Sequence, residues 1–289
     1  MVTTRFDIDN ENQWCPGCGN FSILEAMKKA FISLEFKPED LLVISGIGQA
    51  GKTPYFMECN MFNGLHGRAL AIAAGAKTAN HNLNIIVNSG DGDCYSEGAN
   101  HFLAAIRRNL DITLLVHNNR IYGLTKGQTS PTSSFGMKTK MQKSGNVSSS
   151  FNPIATALVS GAGFIARGFS DDIDQLVYLI EKAVKYKGFS MIDICQPCVS
   201  FNKFNTRSWY KKRIFRLDEN YDDKGLKHDP HDYYRALKLA HMGEDKIPTG
   251  IIYLKPGIAF HERIEVLKEK PLCEYDFAEA QINRIINNL

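Results

Sequence analysis

The sequence predicts an α/β fold with a doubly wound, mostly parallel sheet and a peripheral C-terminal extension. Three observations lead to this prediction. First, short apolar runs alternate with helical patterns over the first two-thirds of the chain. Second, the apolar runs are nearly continuous, as expected of strands that helices cover on both faces. Third, polar or glycine-rich turns follow several of these runs, at the edge where such sheets bind ligands.

The same alternation justifies the predicted elements in order along the chain. The first strand, 41–45, has the sequence LLVIS and runs into the turn GIGQAGK. A small-residue helix at 67–79 leads to a strand at 84–88, and a helix at 97–108 leads to a strand at 112–116. The alternation continues through 152–161, 164–169, 172–187 and 191–194. After residue 201 the chain becomes charged and aromatic, and we expect a short helix at 233–241 and an edge strand at 250–254.

The composition limits the classes of partner. With 34 basic and 31 acidic side chains in 289 residues, the net charge of +3 gives no field that would favour nucleic acid. The N-terminal residues do not resemble a secretory signal, and no apolar run is long enough to span a membrane. We therefore expect a cytoplasmic protein with no membrane or nucleic-acid partner. In a reducing cytosol, its seven cysteines are expected to be free thiols, metal ligands or redox groups.

The strongest motif consists of two turns that follow neighbouring predicted strands. The first is GDGD at 90–93, and the second is NNRIYG, which begins at Asn118. Glycines let the backbone approach a diphosphate closely, and the helix after GDGD would direct its N-terminus at the phosphates. Asp91 and an asparagine one strand later offer the oxygen ligands that Mg²⁺ prefers. Because Asp91 and Asn119 are 28 positions apart, the pair resembles the thiamine-diphosphate-binding motif, which implies Mg²⁺ ligands at Asp91, Asn119 and the carbonyl of Ile121.

Two Cys-x-x-Cys pairs form a second signal. Cys15 and Cys18 lie in WCPGCGN directly before a predicted helix, and Cys195 and Cys198 lie at the end of a predicted strand. Such pairs suit a metal ion, an iron–sulfur cluster or a redox dithiol. The four thiols together could hold zinc, whereas the second pair could also be small buried residues. The spacing alone leaves these alternatives open.

Taken together, these motifs resemble the β subunit of the 2-oxoacid:ferredoxin oxidoreductases, with the strongest resemblance to the 2-oxoglutarate type or the broad 2-oxoacid enzymes. The matching segments run in order from about residue 14 to residue 253, and they include WCPGCGN, SGIGQAGK, NGLHGRAL, SGDGD, IRRN, NNRIYGLTKGQTSPTS and QPCVSFN. The resemblance implies an enzyme in which thiamine diphosphate and Mg²⁺ decarboxylate a 2-oxoacid and the acyl group passes to coenzyme A. A [4Fe–4S] cluster then carries the electrons singly to ferredoxin. The thiamine-binding domain would occupy 1–200, including the N-terminal cluster ligands, and the extension at 201–289 would pack on that domain and on a partner subunit.

The resemblance implies a cluster that is held by four cysteines beside the thiamine. Three of these positions fall on Cys15, Cys18 and Cys198. The fourth normally lies in a segment SGIGC, where this sequence has Gln49. We favour Cys59, ten positions further on, as the replacement. Alternatively, only three thiolates bind, and Gln49 or another ligand faces the fourth iron.

The resemblance also assigns roles to residues of the pocket. Lys52 falls where the family places a basic residue near the substrate, and it could pair with the distal carboxylate of a dicarboxylic 2-oxoacid or be a surface lysine. His66 is expected to face the cofactor as a hydrogen-bonding or acid–base group, unless it is a structural core histidine. These two are the predicted catalytic residues. The predicted cofactor-binding residues are Ile47, Gly48, His66, Gly90, Asp91, Gly92, Asp93, Asn119, Ile121, Gly123, Leu124 and Thr125.

Thiamine enzymes also need a glutamate that activates the pyrimidine ring, and this sequence corresponds to the pyrophosphate-binding domain alone. The resemblance implies that an α subunit, or a fused γα subunit, supplies this glutamate, so that the chain is active only with its partner. The helix at 67–79 could help to form that interface. Two other functions remain as alternatives. One is a non-oxidative thiamine-dependent 2-oxoacid decarboxylase or synthase subunit with structural zinc, and the other is a catalytically silent scaffold subunit.

Overall fold

A computed structural model describes residues 4–218 and 227–275. The helices are α1 (Gly19–Ser33), α2 (Ala69–Ala79), α3 (Ala99–Arg108), α4 (Pro153–Val159), α5 (Ile173–Lys185), α6 (Arg207–Lys211), α7 (Tyr233–Ala240) and α8 (Glu265–Glu269). The strands are β1 (Leu41–Ser45), β2 (Asn60–Asn63), β3 (Asn84–Gly90), β4 (Thr113–Asn118), β5 (Ile121–Tyr122), β6 (Gln128–Thr129), β7 (Phe164–Phe169), β8 (Ser190–Cys195), β9 (Ile214–Arg216) and β10 (Ile247–Leu254).

Eight of these strands form one sheet, in the order β2-β1-β3-β4-β8-β7-β10-β9. All neighbouring strands are parallel except β10, which runs antiparallel to β7. Strands β5 and β6 form a separate two-stranded antiparallel ribbon. The prediction of a mostly parallel α/β sheet is therefore confirmed, and the predicted strands within the first 200 residues all lie in it.

Helices cover both faces of the sheet, and each face has its own apolar core. Side chains alternate between the two faces along a strand. Accordingly, Ile85 and Val87 of β3 pack in the core beneath α2 and α3. Ile86, between them, packs in the opposite core beneath α1 and α5. This two-sided burial explains why the strands are nearly continuous apolar runs in the sequence.

The C-terminal segment contributes two strands to the same sheet. The sequence predicted an edge strand at 250–254, but β10 pairs with β7 on one side and with β9 on the other. The edge position belongs to β9, a three-residue strand that follows the charged helix α6. The predicted extension also includes residues 219–226 and 276–289, which lie outside the described residues. Within the described ranges, no helix is long and apolar enough to cross a membrane.

Candidate active site

A pocket lies at the carboxyl ends of β1, β3 and β4, where the three turns singled out in the sequence converge. Its lining consists of Asn20, Ile47, Gly48, Gln49, Ala50, His66, Gly90, Asp91, Gly92, Asp93, His117, Asn119, Ile121, Tyr122, Gly123, Leu124, Thr125 and Gln196. The structure thus brings together all of the residues that the sequence predicted as cofactor-binding. It does so because the carboxyl ends of parallel strands meet at one edge of a sheet.

Asp91 is a buried carboxylate whose position is fixed by hydroxyl groups. Ser130 and Thr132 donate hydrogen bonds to its Oδ2 atom, at 2.5 and 2.6 Å. Burial raises the pKa of Asp91 to about 6, although these hydrogen bonds lower it. The Thr132 hydroxyl also lies 2.8 Å from the side chain of Asn118, which donates to the buried carboxylate of Asp193. A cation beside Asp91 would offset the cost of burying its charge.

The second turn fixes Asn119 and Ile121 next to each other. The Asn119 Oδ1 atom accepts a hydrogen bond from the Ile121 backbone N–H at 2.9 Å. Between them, Arg120 has a left-handed backbone with φ of 59°, which side chains other than glycine, asparagine and aspartate rarely adopt. The Arg120 guanidinium holds this turn because it pairs with Glu244 and donates to Ser134. The turn therefore presents an amide oxygen and a backbone carbonyl on one short loop.

Asp93 ties its own turn after β3 to the turn after β1 and to the loop before α2. Its carboxylate accepts hydrogen bonds from the backbone N–H groups of Ile47 and Gly67, at 3.1 and 2.7 Å, and from the Ser89 hydroxyl at 2.5 Å. A β-carbon on Gly46 would lie 1.9 Å from Asp93 Oδ2, so this close approach requires glycine. Although Asp93 lines the pocket as predicted, both of its oxygens already accept hydrogen bonds from the protein. Its observed contacts are those of a residue that shapes the pocket.

The two residues predicted to be catalytic occupy different places. His66 lines the pocket, and its Nδ1 atom lies 3.1 Å from Asp93 Oδ1 and 3.4 Å from Glu97 Oε2. Lys52 does not line this pocket. It lies in a separate groove that is lined by Tyr55 and residues of the N-terminal segment, because the short 3₁₀ turn after Gln49 directs it away. Within this chain, therefore, the geometry does not place Lys52 at the expected substrate site.

A second pocket, adjoining the first, brings Cys15, Cys18 and Cys198 together. Each sulfur accepts a hydrogen bond: Cys15 from the Ser200 hydroxyl at 3.0 Å, Cys18 from the Gln196 amide at 3.5 Å, and Cys198 from the Phe201 backbone N–H at 3.4 Å. Such hydrogen bonds stabilise negative charge on sulfur. Gln49 also lines this pocket. The three predicted cluster cysteines therefore share one pocket with Gln49, the residue at the position of the usual fourth cysteine.

The structure does not bring Cys59 to these three cysteines, contrary to the sequence-based expectation. Cys59 directly precedes β2, and the first residue of β2, Asn60, is in register with Leu42 near the start of β1. The cysteine pocket lies beyond the opposite end of β1. Cys59 instead packs against the apolar core beneath α1, where burial raises the pKa of its thiol to about 12. Because β1 and β2 are parallel, the start of β2 anchors Cys59 at the end of β1 that is remote from the pocket.

Cys195, the other member of the second Cys-x-x-Cys pair, also lies outside the cysteine pocket. Cys195 ends β8 and packs in a small apolar cluster with Phe169 and Tyr210, whereas Cys198 lies in the loop beyond. The four cysteines of the two pairs therefore do not form one Cys₄ site. A single zinc ion needs sulfurs at about 2.3 Å from it, and no three cysteine, histidine or acidic side chains within 4–218 and 227–275 are grouped to hold one ion.

Three polar residues that the sequence analysis did not select lie at the pockets: Asn20 and Gln196 line both, and His117 lines the first. Asn20 Oδ1 lies 2.8 Å from both His117 Nδ1 and Gln196 Nε2. His117 is 1% exposed, and burial lowers its pKa to about 3, so its ring is neutral. Its Nε2 atom has no hydrogen-bond partner among the described residues. Each of the three lies within or beside a motif, and that adjacency is the signal that could have identified them.

Comparison with known proteins agrees with this geometry. Residues 46–194 match the family described as thiamine pyrophosphate enzyme, C-terminal TPP binding domain. Residues 198–269 match the C-terminal family of the pyruvate ferredoxin oxidoreductase β subunit. The β subunit of 2-oxoacid:ferredoxin oxidoreductase from Saccharolobus solfataricus is 43% identical over 258 residues, which cover 87% of this chain and 85% of that protein. The corresponding subunit from a Sulfolobus species is 44% identical over 291 residues, covering 96% and 95%.

A solved structure is similar over almost the whole chain. It is 2-oxoglutarate:ferredoxin oxidoreductase from Magnetococcus marinus, a structure with 2-oxoglutarate, coenzyme A and succinyl-CoA bound. The TM-score is 0.88 at 31% identity, and the match covers 99% of this chain and 96% of that chain. With the thiamine-type turns and the three-cysteine pocket side by side, these similarities show that the chain belongs to the β-subunit family of the 2-oxoacid:ferredoxin oxidoreductases.

Proposed function

We propose that this chain is the thiamine- and cluster-binding subunit of an enzyme that converts a 2-oxoacid and coenzyme A to acyl-CoA and CO₂, with electrons passed through a [4Fe–4S] cluster to ferredoxin. The observation that carries the proposal is a shared wall between the two pockets. The residues common to both linings are Asn20, Gln49, Asn119, Gly123 and Gln196. Because electron transfer slows steeply with distance, a cofactor and a cluster separated by one layer of side chains would be well placed to exchange electrons.

The first pocket has the donor set that a magnesium diphosphate needs. Asp91, Asn119 and the carbonyl of Ile121 would hold Mg²⁺ through oxygen, the ligand type that this ion prefers. Both hydroxyl hydrogen bonds to Asp91 reach Oδ2, so neither hydroxyl competes with a cation for Oδ1. A β-carbon on Gly92 would lie 2.2 Å from the Tyr122 ring, so the absence of a side chain there lets the two turns close around a bound diphosphate.

Other residues of this chain would bind and orient the reactants. When bound, thiamine diphosphate would supply the nucleophilic carbon for decarboxylation, and the cluster would supply one-electron steps. His66, whose Nδ1 lies 3.1 Å from Asp93 and 3.4 Å from Glu97, would have Nε2 available to donate or accept a proton at the pocket. His117 is neutral and held by Asn20 through Nδ1, so its Nε2 would accept a hydrogen bond from a bound group.

Three thiolates of the second pocket would hold the cluster. The Ser200 hydroxyl, the Gln196 amide and the Phe201 backbone N–H already donate to the three sulfurs. Hydrogen bonds of this kind favour the reduced, more negative form of an iron–sulfur cluster. They would therefore favour electron acceptance by a cluster in this pocket.

We propose 2-oxoglutarate as the first substrate to test. The support is the similarity to proteins named 2-oxoglutarate oxidoreductase subunits and to a structure with 2-oxoglutarate and coenzyme A bound. Lys52 adds no support, because it lies outside the thiamine pocket. The partner subunit would complete the pocket, and we propose a cytoplasmic site of action with ferredoxin as electron acceptor.

Anaerobic purification of the chain with its co-expressed partner tests this function. We expect iron, acid-labile sulfide and thiamine in the complex, and viologen reduction that depends on both a 2-oxoacid and coenzyme A. Zinc without iron would favour the non-oxidative alternative. A complex that binds no thiamine would favour the silent scaffold. A complex replete with cluster and thiamine that reduces no acceptor with any 2-oxoacid would contradict the proposal.

A further inference from the structure

The cysteine pocket contains three thiols and one carboxamide that lacks a partner. Cys15, Cys18 and Cys198 line it, together with Gln49. The Oε1 atom of Gln49 is buried and has no hydrogen-bond partner among the described residues. Buried acceptors are almost always paired, because an unpaired one loses its hydration without compensation. The unpaired oxygen therefore indicates that a bound group completes this pocket.

The backbone of Gln49 is fixed relative to the cysteines. Its carbonyl oxygen accepts hydrogen bonds from the Trp14 indole at 2.9 Å and from the Lys52 backbone N–H at 3.3 Å. Trp14 directly precedes Cys15 and packs edge-on against Phe56. The turn that carries Gln49 and the segment that carries Cys15 are thus joined into one unit. The backbone that carries the carboxamide is therefore fixed beside the cysteine pocket.

No other thiol in the described residues can complete the set. Cys59 lies beyond the opposite end of β1, as its register shows. Cys94 is buried in the core beneath α2 and α3, and Cys195 is buried in the cluster around Tyr210. Cys273 is exposed in the C-terminal segment and lines neither pocket.

We propose that the cluster is bound by three cysteine thiolates and that its fourth iron faces the Oε1 oxygen of Gln49. This inference rests on the proposed function, since it requires a [4Fe–4S] cluster in this pocket. Gln49 also lines the thiamine pocket, so the iron that lacks a thiolate would be next to the residue that both pockets share. An amide oxygen is a harder and weaker ligand for this iron than a thiolate, and this iron is therefore the first to be lost.

The first test needs no variant. The subunit complex is purified anaerobically from cells grown on Mössbauer-active iron, and its spectra are recorded before and after mild ferricyanide oxidation. Before ferricyanide is added, we expect one iron of the [4Fe–4S]²⁺ cluster to differ from the other three in the Mössbauer spectrum. Ferricyanide should take one electron from [4Fe–4S]²⁺, and the resulting [4Fe–4S]³⁺ should release Fe²⁺ and leave [3Fe–4S]⁺, which is visible by electron paramagnetic resonance.

Two variants identify the residue responsible. Gln49→Cys should supply a fourth thiolate, make the irons more alike and suppress the [3Fe–4S]⁺ signal. Cys59→Ala is the matched control, and it should leave the iron content and the signal unchanged. A wild-type cluster whose irons all have thiolate character and resist ferricyanide would overturn the inference, as would loss of iron in Cys59→Ala. In either case a cluster is present and the proposed function stands, whereas zinc without iron would contradict both.

Discussion

At the scale of single residues, hydroxyl groups position the Asp91 carboxylate, which we propose binds a cation. Thr132 donates to Asp91 Oδ2 at 2.6 Å and links it to Asn118. We expect Thr132→Val to weaken Mg²⁺ binding by about 10- to 100-fold, the usual effect of removing a group that orients a metal ligand. Magnesium titration of thiamine diphosphate binding measures this change. Thr78→Val removes a hydroxyl that bonds only within α2 and should have no effect; equal Mg²⁺ affinity in both variants would contradict the role of Thr132.

A second prediction concerns pH and His117. Burial lowers the pKa of His117 to about 3, below the ordinary value of 6.5. As the pH falls below 6.5, the unfolded chain therefore takes up a proton that the folded chain does not, and stability is lost. At about pH 5 this difference costs roughly 2 kcal/mol of unfolding free energy, because one pKa unit corresponds to about 1.4 kcal/mol.

The variant His117→Gln isolates this contribution, because glutamine can still donate to Asn20 but does not titrate. Between about pH 7 and about pH 5, the urea midpoint of the subunit complex should fall less for the variant than for the wild type. If both fall in parallel, His117 is not a neutral buried histidine. The comparison of slopes cancels the other histidines, since both proteins contain them.

The sequence predicted the pocket lining well where the motif residues are contiguous. It predicted residue positions poorly where they depend on the course of a strand or a turn. The GDGD and NNRIYG turns needed only strand ends, and their residues line one pocket. Choosing Cys59 required knowing that β2 starts beside the early part of β1. Choosing Lys52 required knowing how the turn after Gln49 directs its side chain. Neither fact is encoded in spacing.

At the scale of elements, the turn after β1 depends on its contact with Asp93. A β-carbon on Gly46 would lie 1.9 Å from Asp93 Oδ2, so Gly46→Ala must displace a carboxylate that holds two other turns. We expect a loss of about 1–3 kcal/mol of unfolding free energy and weaker thiamine binding. Gly75→Ala in α2 is the control, because its β-carbon would meet nothing within 4 Å.

For this control we expect a gain of up to about 1 kcal/mol, since alanine is the better helix former. Thermal unfolding and thiamine titration of both variants check the pair. Equal behaviour of the two variants would mean that the Asp93 contact does not organise the pocket. The sequence indicated a glycine-rich turn at this place, but the partner of Gly46 lies 47 positions away on β3's turn and only the fold reveals it.

At the scale of the whole molecule, we expect a partner subunit to complete the thiamine pocket. Among the described residues that line it, the acidic side chains are Asp91 and Asp93, and glutamate is absent. The edge strand β2 also exposes about half of Met61 and Phe62, as expected of a surface that a partner covers. The resemblance to a β subunit implied a partner from the sequence alone. The sequence also predicted β10 as an edge strand, whereas it is an inner strand of the sheet.

We expect the isolated chain to show no 2-oxoacid-dependent reduction of viologen, even with thiamine diphosphate, Mg²⁺ and a reconstituted cluster. Addition of the partner subunit should restore activity in proportion to complex formed, which size-exclusion chromatography measures. The reason is that, in the proposed function, the partner subunit supplies the activating carboxylate and completes the pocket. Full activity of the isolated chain would contradict this prediction.

The shared wall between the thiamine pocket and the cysteine pocket makes one measurement decisive. The oxidised subunit complex is mixed anaerobically with 2-oxoglutarate or another 2-oxoacid, without an external acceptor, while cluster absorbance and CO₂ release are followed. We predict that the cluster is reduced within the first turnover. In the Thr132→Val complex without bound thiamine, the cluster should stay oxidised. Release of CO₂ from every active 2-oxoacid while the cluster stays oxidised would contradict the account.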